Sequence, residues 1–145
     1  MIKQLNSVTP LELDQIMAIW FNGNLAGHPF INRQYWLDNW DYVHNELPKA
    51  EIVVAQVNDQ IQGFVGVMDN YIAGIFVAAK YRHQGLGQQL LDYIKQDHQS
   101  LTLNVYELNQ VAVHFYQRQN FQVINKELDT ATNQVELTMS WSAAI

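Results

Sequence analysis

The chain has 145 residues, 48% of them apolar and 12% aromatic, which is the size and composition of one ordinary folded domain, able to bury roughly 70% of the surface its unfolded chain exposes. A net charge of −6 argues against a broad nucleic-acid surface, which needs many cations facing phosphates, and zero cysteines exclude disulfides, thiol nucleophiles and cysteine-ligated zinc. No apolar run approaches the ~18 residues of a membrane span, and the opening "MIKQLNSVTPLELDQ" lacks the basic-then-apolar order of a signal peptide, so a single domain over residues 1–145 in the cytoplasm is the expectation.

"IKQL" reads as a short strand. "TPLELDQIMAIWFNG" reads as a helix with Thr9 at the N-cap, Pro10 at the first position and Glu12 closing a capping box. Its apolar stripe is Leu13, Ile16, Met17, Trp20 and Phe21. After an irregular "NGNLAGHPFIN", a second helix is predicted from about Arg33 to Glu46, with Trp36, Trp40, Val43 and Leu47 at helical spacing and Pro48 stopping it. The period then changes from 3.6 to 2, and "EIVVAQV", "IQGFVGVM" and "YIAGIFVA" read as three antiparallel strands joined by tight turns. Gly85 opens a helix whose buried stripe is Leu86, Leu90, Leu91 and Ile94. The strand "LTLNVYE", a helix from about Asn109 to Gln119, and the hairpin "FQVINKEL" and "QVELTMSW" complete the order β-α-α-β-β-β-α-β-α-β-β.

The stretch "AAKYRHQGLGQQLLDYI" gathers Lys80, Arg82 and His83 around Gly85 and Gly87 where a strand gives way to a helix. The first amides of a helix lack partners and attract anions. Glycines let that backbone approach a ligand, and an arginine adds charge-assisted hydrogen bonds, so a pyrophosphate fits. Taken alone, the same residues fit a tight turn beside a solvated arginine better. The dinucleotide fingerprint GxGxxG is absent, because Leu90 stands where its third glycine belongs, and no GK followed by Ser or Thr makes a P-loop.

With its neighbours the stretch resembles the acetyl-CoA site of the GCN5-related N-acetyltransferase (GNAT) family, Q/R-x-x-G-x-G/A after a strand, with Arg82, Gly85 and Gly87 in the fixed positions. "LNVYELNQVAVHFYQRQNF" supplies the family's second motif as Asn109, Ala112, Tyr116 and Phe121, the first three sharing one helix face. The resemblance covers essentially the whole chain. It implies an α+β sandwich with a mixed, mostly antiparallel sheet of about seven strands and about four helices, and an enzyme that moves acetyl from acetyl-CoA to a primary amine of a small molecule, a protein lysine or an N-terminus.

Residue by residue, the resemblance implies that the backbone of Ile75, Phe76 and Val77 holds the pantetheine arm. The amides of His83, Gln84, Gly85, Leu86, Gly87 and Gln88 then take the pyrophosphate beside Arg82, with Lys80 solvated. A bulky side chain at Gly87 is expected to weaken coenzyme binding by blocking the backbone's approach and to leave the fold largely intact. Tyr116 suits the general acid that protonates the leaving thiolate, since a phenol of pKa ~10 lies slightly above a thiol of ~8.5. Asn109 fits a helix cap and a direct coenzyme ligand equally well.

Asn104 departs from relatives that carry a glutamate base there, which leaves Glu107, Glu46 and Asp69 as candidate carboxylates or an amine that arrives neutral. His28, beside Pro29, reads as a structural hydrogen-bonder rather than a base. Phe30, Tyr35, Trp36 and Trp40 could wall an acceptor pocket, with core packing favoured for the tryptophans. No metal, nucleic acid or membrane partner is expected, and the chain is a monomer or homodimer. The alternative is a non-catalytic acyl-CoA sensor with the same fold, which Tyr116 argues against and Asn104 mildly for.

Overall fold

The computed structural model describes residues 1–143. In chain order the first half contains β1 (Ile2–Leu5), α1 (Pro10–Gly27), α2 (Arg33–Asp38), α3 (Trp40–Glu46), β2 (Glu51–Val57), β3 (Gln60–Met68) and β4 (Tyr71–Val77). The second half contains α4 (Leu86–Lys95), β5 (Ser100–Tyr106), α5 (Gln110–Arg118), β6 (Gln122–Asp129) and β7 (Gln134–Ser142). The strands form one seven-stranded sheet in the order β1-β2-β3-β4-β5-β7-β6. All neighbouring pairs run antiparallel except β4 and β5, so the mixed, mostly antiparallel α+β architecture agrees with expectation.

Helices cover both faces, which explains why the central strands read as continuous apolar runs. Alternate residues serve opposite cores: Val53, Ala55, Val65 and Val67 pack with Leu90, Leu91 and Ile94 of α4. Ile52, Val54 and Phe64 pack with Ile16, Met17 and Trp20 of α1 and Trp36 of α2. The capping box is present as read, with the Thr9 side chain accepting from the Glu12 N–H and the Glu12 carboxylate accepting from the Thr9 N–H.

Two expectations about the helices need correction. Five α-helices, not four, occur among the described residues, because the predicted second helix divides at Asn39. The Asn39 side-chain amide donates to the Tyr35 carbonyl at 2.7 Å, competing with the backbone ladder at that point. The first helix also runs on through Gly27, where its glycines predicted irregular chain. Buried Asn24 holds the extra turn by donating to the Trp20 carbonyl at 2.9 Å, and its own carbonyl accepts the His28 N–H at 3.0 Å. No helix among the described residues is long and apolar enough to cross a membrane.

Gly23 in that turn has a packing reason. A Cβ there would fall 2.6 Å from Cδ1 of Phe76, whose ring lies between α1 and β4. Gly23→Ala is therefore expected to overpack the contact and lower stability by about 1–3 kcal/mol, read as a drop in the thermal midpoint; an unchanged midpoint would show the ring moving freely.

Candidate active site

β4 and β5 pair over two positions only, Tyr71 with Thr102 and Ile72 with Leu103. They then part. β3 stays paired with β4 as far as Val77, and β7 stays paired with β5 as far as Tyr106, so each strand is held along its outer edge while the inner edges diverge. The result is an open cleft of about 1040 Å³ whose lining includes Ile75, Phe76 and Val77. Backbone groups on a free strand edge offer hydrogen bonds to an extended ligand.

Past the end of β4, the Arg82 guanidinium donates through Nε to the Val77 carbonyl at 3.2 Å, which ties it to the strand end. The loop then takes left-handed backbone at His83, with φ of 64°, and at Gly85, with φ of 80°. Gly85 caps α4 without any side-chain hydrogen bond, and the first helical bond runs from the Gln89 N–H to the Gly85 carbonyl. The amides of Leu86, Gly87 and Gln88 thus have no helical partner, which makes this end an anion-binding concavity. Arg82, His83, Gly85, Leu86, Gly87 and Gln88 all line the cleft; Gln84 is exposed and lies outside it.

Helix α5 forms the opposite wall with one face, where Val111, Phe115 and Arg118 stand beside Ala112, Tyr116 and Gln119. Gly87 carries a second constraint here. A Cβ on it would approach the Phe115 ring to 3.2 Å, so a side chain at 87 also needs that ring to give by a few tenths of an ångström. Tyr116 is buried, 9% exposed, against Phe115 and Phe121, and lines the cleft. Burial pushes its phenol up from the ordinary value, with the Tyr71 hydroxyl adding to the shift.

Asn109 is the N-cap of α5, its side-chain oxygen accepting from the Ala112 N–H at 3.3 Å. Its amide nitrogen meets His28 Nε2 at 3.2 Å. His28 Nδ1 lies 3.0 Å from the Asn24 carbonyl, which can only accept. Nδ1 therefore carries the proton, and Nε2 accepts from Asn109. His28 is a neutral brace between α1 and α5, stacked on Trp36 at 5.2 Å, as its structural reading expected.

The other sheet face reaches the same cleft through the gap between β4 and β5. Leu103 and Val105 face the core under α4 and α5, so Asn104 and Tyr106 face the opposite way. Asn104 accepts from Thr138 Oγ1 at 2.8 Å, and Tyr106 donates to Asp129 at 2.7 Å. Glu136, the register partner of Tyr106, lines the cleft with them. Phe30 and Trp36 line this end too, whereas Tyr35 and Trp40 do not. Trp36 and Trp40 pack in the core as favoured.

The three carboxylates singled out in the sequence lie elsewhere. Glu107 pairs with Lys126 at 2.9 Å, Glu46 pairs with Lys49 at 2.7 Å, and Asp69 is a turn residue with φ of 57°. Lys80 is exposed, over the Tyr81 ring. Two charged residues of the cleft went unnoticed. Arg118 follows Val111 at a spacing of seven residues and was recoverable from helical periodicity; Glu136 arrives through strand pairing and has no local signal. Among the described residues no group of three or more metal-ligating side chains stands together.

Residues 48–123 match the acetyltransferase (GNAT) domain family. The chain is 36% identical over 132 residues to the peptidyl-lysine N-acetyltransferase YiaC of Escherichia coli (strain K12), covering 90% of each chain. It is 31% identical to the peptidyl-lysine N-acetyltransferase YjaB of the same organism, covering 79% of each. The solution structure of apo YjaB from Escherichia coli superposes with a TM-score of 0.84 at 27% identity, covering 99% of each chain. An aminoglycoside 6'-N-acetyltransferase complexed with coenzyme A shares the fold at a TM-score of 0.78 and 13% identity, covering 98% of this chain and 96% of that one.

The brace has a pH signature. Burial lowers the His28 pKa, against a smaller opposing effect of its bond to Asn24. The unfolded chain therefore takes up the proton first as pH falls below ~6.5, and stability declines from there down to the folded pKa. Thermal midpoints measured from pH 7 to 5 are expected to fall more steeply for the wild type than for His28→Gln; parallel slopes would contradict a neutral brace.

Proposed function

The chain belongs to the GNAT family and is an acetyl-CoA-dependent N-acetyltransferase, and on that premise we propose that its acceptor is a lysine ε-amine of a peptide or protein, attacking the thioester directly in a ternary complex. Two relatives bear the name peptidyl-lysine N-acetyltransferase, and an acidic chain draws a cationic acceptor. The observation that carries the reading is the parted strand pair, which brings Tyr116 from one sheet face and a polar surface from the other to a single cleft. In this reading residues 1–145 act as one catalytic domain in the cytoplasm.

The pantetheine arm lies along the free edge of β4 at Ile75, Phe76 and Val77, as an added strand would. The amides from His83 to Gln88 hold the pyrophosphate, with Arg82 and Arg118 supplying charge. Gln84 contributes through its backbone, since its side chain is exposed. Asn109 acts through the cap and the His28 bond, holding α5 in place. These placements leave the thioester near the Tyr116 hydroxyl and open to attack from the Asn104 side.

Tyr116 donates a hydrogen bond to the sulfur as the C–S bond breaks. Burial raises its pKa, so the phenol stays protonated as the donor until the thiolate forms, and the proton it gives to sulfur is replaced by one from the nitrogen of the tetrahedral adduct. Such assistance is typically worth 10² to 10⁴ in rate, about 3–5 kcal/mol of barrier. Tyr116→Phe keeps the ring packing, so acetyl-CoA affinity is expected to hold while kcat drops by about that factor and the acceptor KM barely moves. Single-turnover transfer within about twofold of wild type would make Tyr116 a packing residue.

A further inference from the structure

An amine acceptor with the ordinary lysine pKa of ~10.4 reaches the enzyme as an ammonium ion at neutral pH. It must lose a proton before nitrogen can attack. Among the described residues that line the cleft, the single carboxylate is Glu136. It projects from β7 on the face shared with Tyr106 and Asn104, the side from which an acceptor would approach the parted strands. Asn104 is register partner to Thr138, two residues along β7, so Glu136 is its diagonal neighbour. Such neighbours lie about 7–8 Å apart between Cα atoms, within reach of long side chains.

The surroundings of Glu136 are unusual for a surface acid. Its register partner on β6 is another acid, Glu127, and Asp129 follows two residues on. On β5, Tyr106 is paired opposite it and commits its hydroxyl to Asp129. Tyr71 of β4 is close enough for its hydroxyl to sense the Glu136 charge. While Glu107 and Glu46 have lysine partners, Glu136 has no salt bridge among the described residues. Burial first, then Asp129 and Glu127, raises its proton affinity above the usual carboxylate range. A half-buried acid repelled by its neighbours and lacking a cation is suited to accept one from a substrate.

We propose that Glu136 receives the acceptor ammonium in the cleft and takes its proton, so that a neutral amine attacks the thioester. This rests on the acetyl-transfer reading. One proton passes from nitrogen to the Glu136 carboxylate, and the nitrogen lone pair then forms the C–N bond. The C–S bond breaks as Tyr116 protonates sulfur, and the second nitrogen proton restores Tyr116. Glu136 finally releases its proton to water, so amine cation and acetyl-CoA give amide, coenzyme A and one proton. Asn104, which lines the cleft, borders the path.

The test is kcat/KM from pH 6 to 10 for wild type, Glu136→Gln and Glu136→Asp, with the best acceptor from a panel of blocked lysine peptides and small primary amines. Glu136→Gln is expected to lose on the order of 10² near neutral pH. It should then recover in proportion to hydroxide as the amine deprotonates by itself, and Glu136→Asp should fall between. The wild type should show a plateau bounded on the acid side by Glu136. Coenzyme A affinity by calorimetry and the thermal midpoint should not fall in Glu136→Gln, since removing that charge relieves repulsion. Wild-type rates in Glu136→Gln, or a loss equal at every pH, would overturn the proposal and leave the acetyl-transfer reading standing. A wild type that releases no coenzyme A with any acceptor would remove both.

Discussion

The parting of two parallel strands after a two-residue pairing is the constraint on which the site depends. Beyond Ile72 and Leu103 the facing edges of β4 and β5 no longer pair, while β3 and β7 stay paired along their outer edges and the β3–β4 register shifts between Gly66 and Val67. A free backbone edge inside a sheet is costly unless water or a ligand satisfies it, and here it opens onto a cleft with an anion-binding helix start at one end. The gap also joins two faces that a closed sheet would keep apart. A phenol rooted in the core under α4 and α5 and a carboxylate from the opposite face therefore line the same cleft.

That geometry has value only if the walls stay put. Helix α5 is held at both ends. At its start Asn109 caps the helix and bonds His28, which is itself fixed to Asn24 of the extended first helix. At its end Lys95 of α4 donates to the Gln119 carbonyl at 2.7 Å, its ammonium lying over the Trp141 and Phe121 rings. Between the two, the absent side chain of Gly87 admits the Phe115 ring. Tyr116 sits between these anchors, so its hydroxyl position follows from contacts made at both ends of α5 and at Phe115.

Much of this was legible locally. Period-two runs marked the strands, Thr9, Pro10 and Glu12 announced a helix start, and the glycines at 85 and 87 marked the strand-to-helix turn where α4 begins. Where sequence reasoning failed, a long-range contact had overridden a local preference. The glycines near the end of α1 suggested a break, but buried Asn24 and the Phe76 ring fix a helical turn there. Gly87 looked like a ligand-approach position alone because the Phe115 contact comes from a helix more than twenty residues on. The carboxylates first considered were not in the cleft, whereas Glu136 sits thirty positions beyond its partner Tyr106 and is placed only by the β5–β7 register.

The site depends on the parted strands receiving the coenzyme. A crystal structure of the wild type with coenzyme A tests this most directly. It should have the pantetheine amides hydrogen-bonded to the backbone of Ile75–Val77 and the pyrophosphate oxygens on the amides of residues 83–88, with β4 and β5 still apart. Coenzyme bound elsewhere, or strands that close when it binds, would contradict it.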